Sequence, residues 1–263
     1  MKHQNRYDVF IEKLSQEFSQ IKNFHLTQEE GDGKIVFNFI VKRLAEINSF
    51  KTLFNYYLQA ASKSVVDDLN EIQKSKYRHL IVTTKEELKE NYYETIRLAY
   101  IGMFHKYENY VDDLIIHSEL LISDLNETGQ SLPKYVEQNF KYKIKDWKNS
   151  STISRLNWIS ICNKHYDGYP RKKPVPLIYQ HLSENKRIKF TKENFISDID
   201  SLITHYTVLL QIVFFFALHK MTFEGETFDV NEFTNIELNQ KMIDGKKQMD
   251  EQGFKLIELS KRI

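Results

Sequence analysis

One cysteine, Cys162, serves the whole 263-residue chain. No intramolecular disulfide can form, and a thiolate-rich zinc cluster is excluded. Prolines number four and glycines eight, with no proline before Pro133. With so few breakers, long uninterrupted helices are expected. Neither sign of charge dominates, since 37 Lys and Arg face 36 Asp and Glu for a net charge of +1. That balance argues against a generally basic nucleic-acid coat and leaves room for a local patch. No apolar signal core follows Met1-Lys2-His3-Gln4-Asn5-Arg6. The longest apolar stretch, Val208 to Leu218, is interrupted by Gln211 and is too short to span a bilayer. These absences predict a soluble, cytoplasmic protein with no membrane association. Neither a glycine-rich phosphate loop nor a Gly-x-Ser-x-Gly elbow occurs, which weakens nucleoside triphosphatase and hydrolase readings.

What is present is helical periodicity. Val9, Phe10, Leu14, Phe18 and Ile21 follow a helical period, and Thr27-Gln28-Glu29-Glu30 has the form of a capping box. A helical pattern runs from Ile35 to Leu44, and a further one from Phe50 to Ala61. Tyr77 to Thr83 reads as a helix end or a short strand. Thr84-Lys85-Glu86-Glu87 is a capping box ahead of the clearest element. There Leu88, Tyr92, Ile96, Ala99, Met103, Tyr107, Tyr110 and Leu114 step by three or four, predicting a helix to about Leu125. A loop before Pro133, a shorter amphipathic piece to Trp147 and a turn at 148–151 follow. Ser154 to His165 is then helical. Pro170, Pro174 and Pro176 predict an extended loop. Thr191 is expected to cap a helix whose Val208–Leu218 run is apolar all round and therefore central. Glu224 to Asn235 reads as a loop and Ile236 to Ile263 as a charged terminal helix. The expected fold class is all-α, a helical bundle with long central helices. The expected organisation is an N-terminal helical region, 1–83, packed on a bundle formed by 84–263.

Chemistry concentrates where the 154–165 helix ends. Asn163-Lys164-His165 joins an amide, an ammonium and an imidazole, followed by Gly168 and the basic run Arg171-Lys172-Lys173. Imidazole titrates near neutrality and can carry a proton to or from a ribose hydroxyl. Lysine offsets phosphate charge, asparagine orients a neighbour, and the basic run can hold a second phosphate. A solvated helix end with a basic loop would present the same residues.

The segment Tyr100-Ile101-Gly102-Met103-Phe104-His105-Lys106-Tyr107-Glu108-Asn109-Tyr110, with Asn163-Lys164-His165-Tyr166-Asp167-Gly168 after it, resembles the HEPN superfamily of all-helical domains. The resemblance covers about 84–220. It implies a metal-independent endoribonuclease of a bacterial toxin, abortive-infection or phage-defence system, without a cofactor. It also implies RNA as substrate, a homodimer with the site where two protomers meet, and an antitoxin or defence partner protein. In that reading His165 is the catalytic base or acid, with Asn163 and Lys164 as partners. Arg155, Arg171, Lys172 and Lys173 are the expected substrate-gripping cations. The family's nuclease signature places an arginine five to seven residues before the histidine. Here those positions are Trp158, Ile159 and Ser160, and the nearest upstream arginine is Arg155. The same residues suit a non-catalytic helical binding or interaction module.

Two other constellations lead elsewhere. His105, Glu108 and Asp112 share one side of a helix, but in the reverse order of the Glu-x-x-His of di-iron bundles, and no second pair matches. No metal site is expected there. Cys162 lies three residues before His165, yet a lone helical thiol reads as a small core residue.

Overall fold

The computed structural model describes residues 32–81, 84–120, 130–224 and 236–262. Among these residues there are six α-helices, two short 3-10 turns and no strand, so the fold is all-α as expected. The helices are α1 (Asp32–Lys74), α2 (Lys85–Leu120), α3 (Leu132–Phe140), α4 (Ser151–His165), α5 (Lys192–Glu224) and α6 (Ile236–Arg262). The 3-10 turns span Ile144–Asn149 and Leu177–Tyr179. The helical pattern over Tyr7–Ile21 and the capping box at Thr27–Glu30 lie outside the described residues.

Local sequence explains most boundaries. The Thr84 N–H meets Glu87 Oε2 at 2.7 Å and the Glu87 N–H meets Thr84 Oγ1 at 3.2 Å, a reciprocal capping box. Asn194 plays the glutamate's part at Thr191, its Oδ1 accepting the Thr191 N–H while its own N–H donates to Thr191 Oγ1. Pro133 sits in the first turn of α3, where its missing N–H costs no helical bond. Two expectations are corrected. The patterns at 35–44 and 50–61 belong to one 43-residue helix, since Ile47 is buried between them and neither glycine nor proline intervenes. Tyr77 to Leu80 forms a hydrogen-bonded turn rather than a strand, with the Leu80 N–H on Tyr77 O.

Two compact units divide the described residues. One comprises 32–48, 110–147 and 207–262; the other comprises 49–109 and 148–206. In the first, α5 supplies a run that is buried from Val208 to Leu210 and from Ile212 to Phe214. His219, 1 % exposed, lies between the Tyr135 hydroxyl at Nδ1, 2.7 Å, and Asp250 at Nε2, 2.8 Å. In the second, the α2 stripe packs through Ile96, Ala99, Met103 and Tyr107. Each such large apolar side chain contributes on the order of 2 kcal/mol when fully buried. Lys192–Ala217 of α5 is long and apolar enough by composition to cross a membrane, and 56 % of its most apolar window is buried in the protein, as in a core helix. Its polar residues Asp198 and His205 are buried against protein partners.

Burial of these histidines couples stability to pH. His205, with Nδ1 2.5 Å from the Tyr107 hydroxyl, is held down to about 4 by burial. Burial pulls His219 down as well, against the opposing pull of Asp250. An unfolded histidine titrates near 6.5. As pH falls below that value the unfolded chain gains a proton that folded His205 refuses, so stability falls until about pH 4 and then levels. The expected loss from His205 is about 3 kcal/mol. Urea unfolding at pH 7 and pH 4.5 checks this, and His205→Gln should lose markedly less stability across that interval.

Candidate functional site

Helix α4 carries the residues of interest, and all of them lie in the 49–109/148–206 unit. Ser150 caps its start, its Oγ accepting the Ile153 N–H at 3.2 Å. Lys164 and His165 occupy its last turn, where positive charge meets the negative end of the helix dipole. Both side chains are exposed, and neither makes a hydrogen bond or ion pair among the described residues. Beyond them Asp167 and Gly168 take left-handed backbone, φ 52° and 78°, and the Gly168 N–H closes on Cys162 O at 3.0 Å.

A buried arginine fixes that turn from below. Arg97 of α2 is 2 % exposed and ion-paired to Glu90 at 2.7 Å and Glu94 at 2.5 Å. Its Nη1 also donates to Ile188 O. The Ile188 N–H in turn bonds Gly168 O at 2.8 Å. Asn163 is buried, and its Nδ2 reaches Arg97 O at 3.4 Å, while its Oδ1 has no partner among the described residues. Asn163 therefore positions the helix end and does not face a substrate. Asp167 is paired with Arg187, whose guanidinium and that of Arg171 both lie over the Tyr169 ring.

Arg155 has a different fate. Ten residues separate it from His165, about 15 Å of helical rise and roughly 80° of rotation. Its guanidinium is paired with Asp198 of α5, and Nη1 donates to the Tyr179 hydroxyl at 3.1 Å. Burial pulls its pKa down, but those hydrogen bonds outweigh the pull and raise it. Asp198 also accepts the Tyr100 hydroxyl at 2.6 Å, and burial with that carboxylate pushes Tyr100 up strongly. Tyr179 stacks on Trp158, centroids 5.2 Å apart and planes 18° from parallel. Trp158 Nε1 donates to Lys172 O at 2.7 Å, tying the loop after Pro170 to α4.

Between α4 and that loop lies a cleft of about 720 Å³, bordered by Arg155, Trp158, Ile161, Lys172 and the 174–178 segment. Seven residues past Trp158, His165 falls within about 20° of it on the helix, so it continues the stripe that borders the cleft. The structure thus joins Lys172 and Arg155 to one cleft, leaves Lys164 and His165 exposed at the helix end, and puts Arg171 over Tyr169. Lys173 is paired with Glu184.

Cys162 is buried, and burial pushes its thiol up despite nearby backbone N–H groups of Lys172 and Arg171, which suits a packed thiol. His105 is exposed 3.4 Å from Asn109, and Glu108 pairs with Lys148 at 3.3 Å. Among the described residues no three His, Cys, Asp or Glu side chains are grouped to hold a metal ion.

Arg97, Asp198, Tyr100 and Tyr179 are the site residues that the sequence reading missed. Glu90, Glu94 and Arg97 stand at i, i+4 and i+7, so their shared face was there to be read. The partners of Asp198 come from distant segments and left no local signal. No known protein family, curated protein or solved structure matches the chain.

A Cβ at Gly168 would lie 2.6 Å from Arg97 Cδ, in a residue already at φ 78°. Gly168→Ala is therefore expected to cost about 2–3 kcal/mol in chemical unfolding, from backbone strain and overpacking together.

Proposed function

We propose that this chain is an HEPN-like helical protein of a bacterial defence or toxin type, acting on RNA as a metal-independent endoribonuclease. The observation that carries the reading is the position of His165, exposed at the end of α4 beside a strongly basic connection. Between Lys164 and Lys192 eight lysines and arginines face two acids, Asp167 and Glu184. Both acids are already paired, with Arg187 and Lys173. Lys164, Lys172, Lys186 and Lys189 have no carboxylate partner among the described residues, while Arg171 and Lys192 lie close enough to Glu184 and Glu193 to interact with them. In a chain of net charge +1 this is a local anion-binding surface, and a phosphodiester backbone is the anion it suits.

In this reading the His165 imidazole takes the proton of a ribose 2′-hydroxyl as that oxygen attacks the adjacent phosphorus. The bond to the 5′-oxygen breaks, leaving a cyclic phosphate and a 5′-hydroxyl. A second His165, on a partner protomer of a homodimer, donates the proton to the leaving oxygen. Lys164 and Arg171 offset charge on the phosphorane oxygens. Asn163 acts through Arg97 by holding the helix end in place.

One observation favours a second reading. Arg155 is committed to Asp198 and Tyr179, so it is not the cation that the nuclease signature calls for. A non-catalytic helical module that binds RNA or a partner protein fits that arrangement. Incubating purified protein with total cellular RNA in EDTA separates the two. The nuclease reading expects cleavage that falls at least 100-fold in His165→Ala, with melting temperature unchanged because the side chain is exposed. RNA bound but left intact by both proteins would select the non-catalytic module.

A further inference from the structure

We infer that the turn between α1 and α2, residues 75–81, is a peripheral membrane-contact site that seats on bilayers carrying anionic lipid. Six successive residues, Lys76 to Ile81, are exposed. Three of them are large and apolar, with Tyr77 54 % exposed, Leu80 67 % and Ile81 37 %. The backbone builds this exposure in. The Ser75 N–H bonds Glu71 O at 3.0 Å, the Arg78 N–H bonds Ser75 O at 3.2 Å and the Leu80 N–H bonds Tyr77 O at 2.8 Å. Ser75 Oγ also accepts the Tyr77 N–H at 3.1 Å. A closed turn thus holds contiguous apolar side chains outward, where contact with water costs free energy.

Charge around the turn is of one sign. From Ile72 to Lys85 the chain carries Lys74, Lys76, Arg78 and Lys85 and no acid. None of the four makes an ion pair among the described residues. Lys76 Nζ instead lies 4.9 Å over the Tyr77 ring. Of the acids that follow, Glu87 is engaged in the cap at Thr84. A phosphodiester strand would answer the cations and leave Leu80 and Ile81 uncovered. A protein groove would cover the apolar side chains, but lysine is depleted at such interfaces. A bilayer surface takes both, with aliphatic groups below the headgroups, the phenol at their level and the cations against anionic lipid. Contact of this kind needs no spanning helix, which is all that the expected lack of membrane association rested on. Nor does it depend on the RNA reading.

Vesicle flotation of the full chain tests this, with phosphatidylcholine alone and with an equal mixture of phosphatidylcholine and phosphatidylserine. Leu80→Ser removes apolar surface without changing charge, and Lys76→Glu combined with Arg78→Glu reverses the charge. All three positions are exposed, and circular dichroism checks the folding of each variant. The expected result is flotation with the mixed vesicles only, weakened roughly fivefold or more in each variant. Added salt should weaken it as well. In Tyr77→Trp the fluorescence should shift to shorter wavelength on the mixed vesicles, as an indole enters the interface. No flotation of the wild type would overturn the inference. Flotation unchanged in either variant would also overturn it, since another basic surface, such as the 164–192 connection, would then make the contact. Binding to total cellular RNA that falls in the charge-reversed variant, with no protein floating, would overturn the lipid partner and give the turn to nucleic acid.

Discussion

A single buried carboxylate organises the unit that holds the candidate site. Asp198 of α5 is 7 % exposed and accepts the Tyr100 hydroxyl from α2 while pairing with Arg155 from α4. Three helices therefore meet at one side chain. Tyr179 extends the set through its hydroxyl on Arg155 and its ring on Trp158. A carboxylate taken from water is costly unless its partners replace the lost solvation, and here a phenol and a guanidinium do so. Phe195, fully buried one turn before Asp198, packs edge-on against Tyr100 at 5.2 Å and adds apolar contact beside the polar knot.

That arrangement decides which residues are left to meet a ligand. With Arg155 held by Asp198, the first half of α4 becomes a fixed wall. The exposed chemistry shifts to the helix end and the connection that follows it. Arg97 does for the helix end what Asp198 does for the wall, since Glu90, Glu94 and the Ile188 carbonyl surround its guanidinium and the Asn163 side-chain amide donates to its own carbonyl. Two buried ionic centres thus back an exposed helix end that carries Lys164 and His165. Positive charge there is local, because the remainder of the chain carries a net negative charge.

The fold was legible wherever one segment contained its own instructions. The capping residues at Thr84 and Thr191, the apolar stripe of α2 and the all-round apolar run of α5 each follow from neighbours three or four residues apart. The break expected between Leu44 and Phe50 was not real. A short polar interruption is no stop signal without glycine or proline, and α1 continues through it. The site was legible only in part. Lys164 and His165 stand at an exposed helix end, as a polar cluster before a turn glycine suggests. Asn163 and Arg155, equally polar in sequence, are drawn inward by partners 66 and 43 residues away. No spacing within α4 records those partners, so helical periodicity could not distinguish a substrate-facing arginine from an anchoring one.

The most direct test of this account is a double-mutant cycle on Arg155→Met and Asp198→Asn, read by urea unfolding at pH 7. Each single change leaves a buried partner unanswered and is expected to cost about 3 kcal/mol, with the double variant losing clearly less than the two combined. Costs below about 0.5 kcal/mol that simply add would mark the pair as an ordinary surface contact. Arg155 would then be available to a ligand, and the claim that a buried carboxylate organises this site would be contradicted.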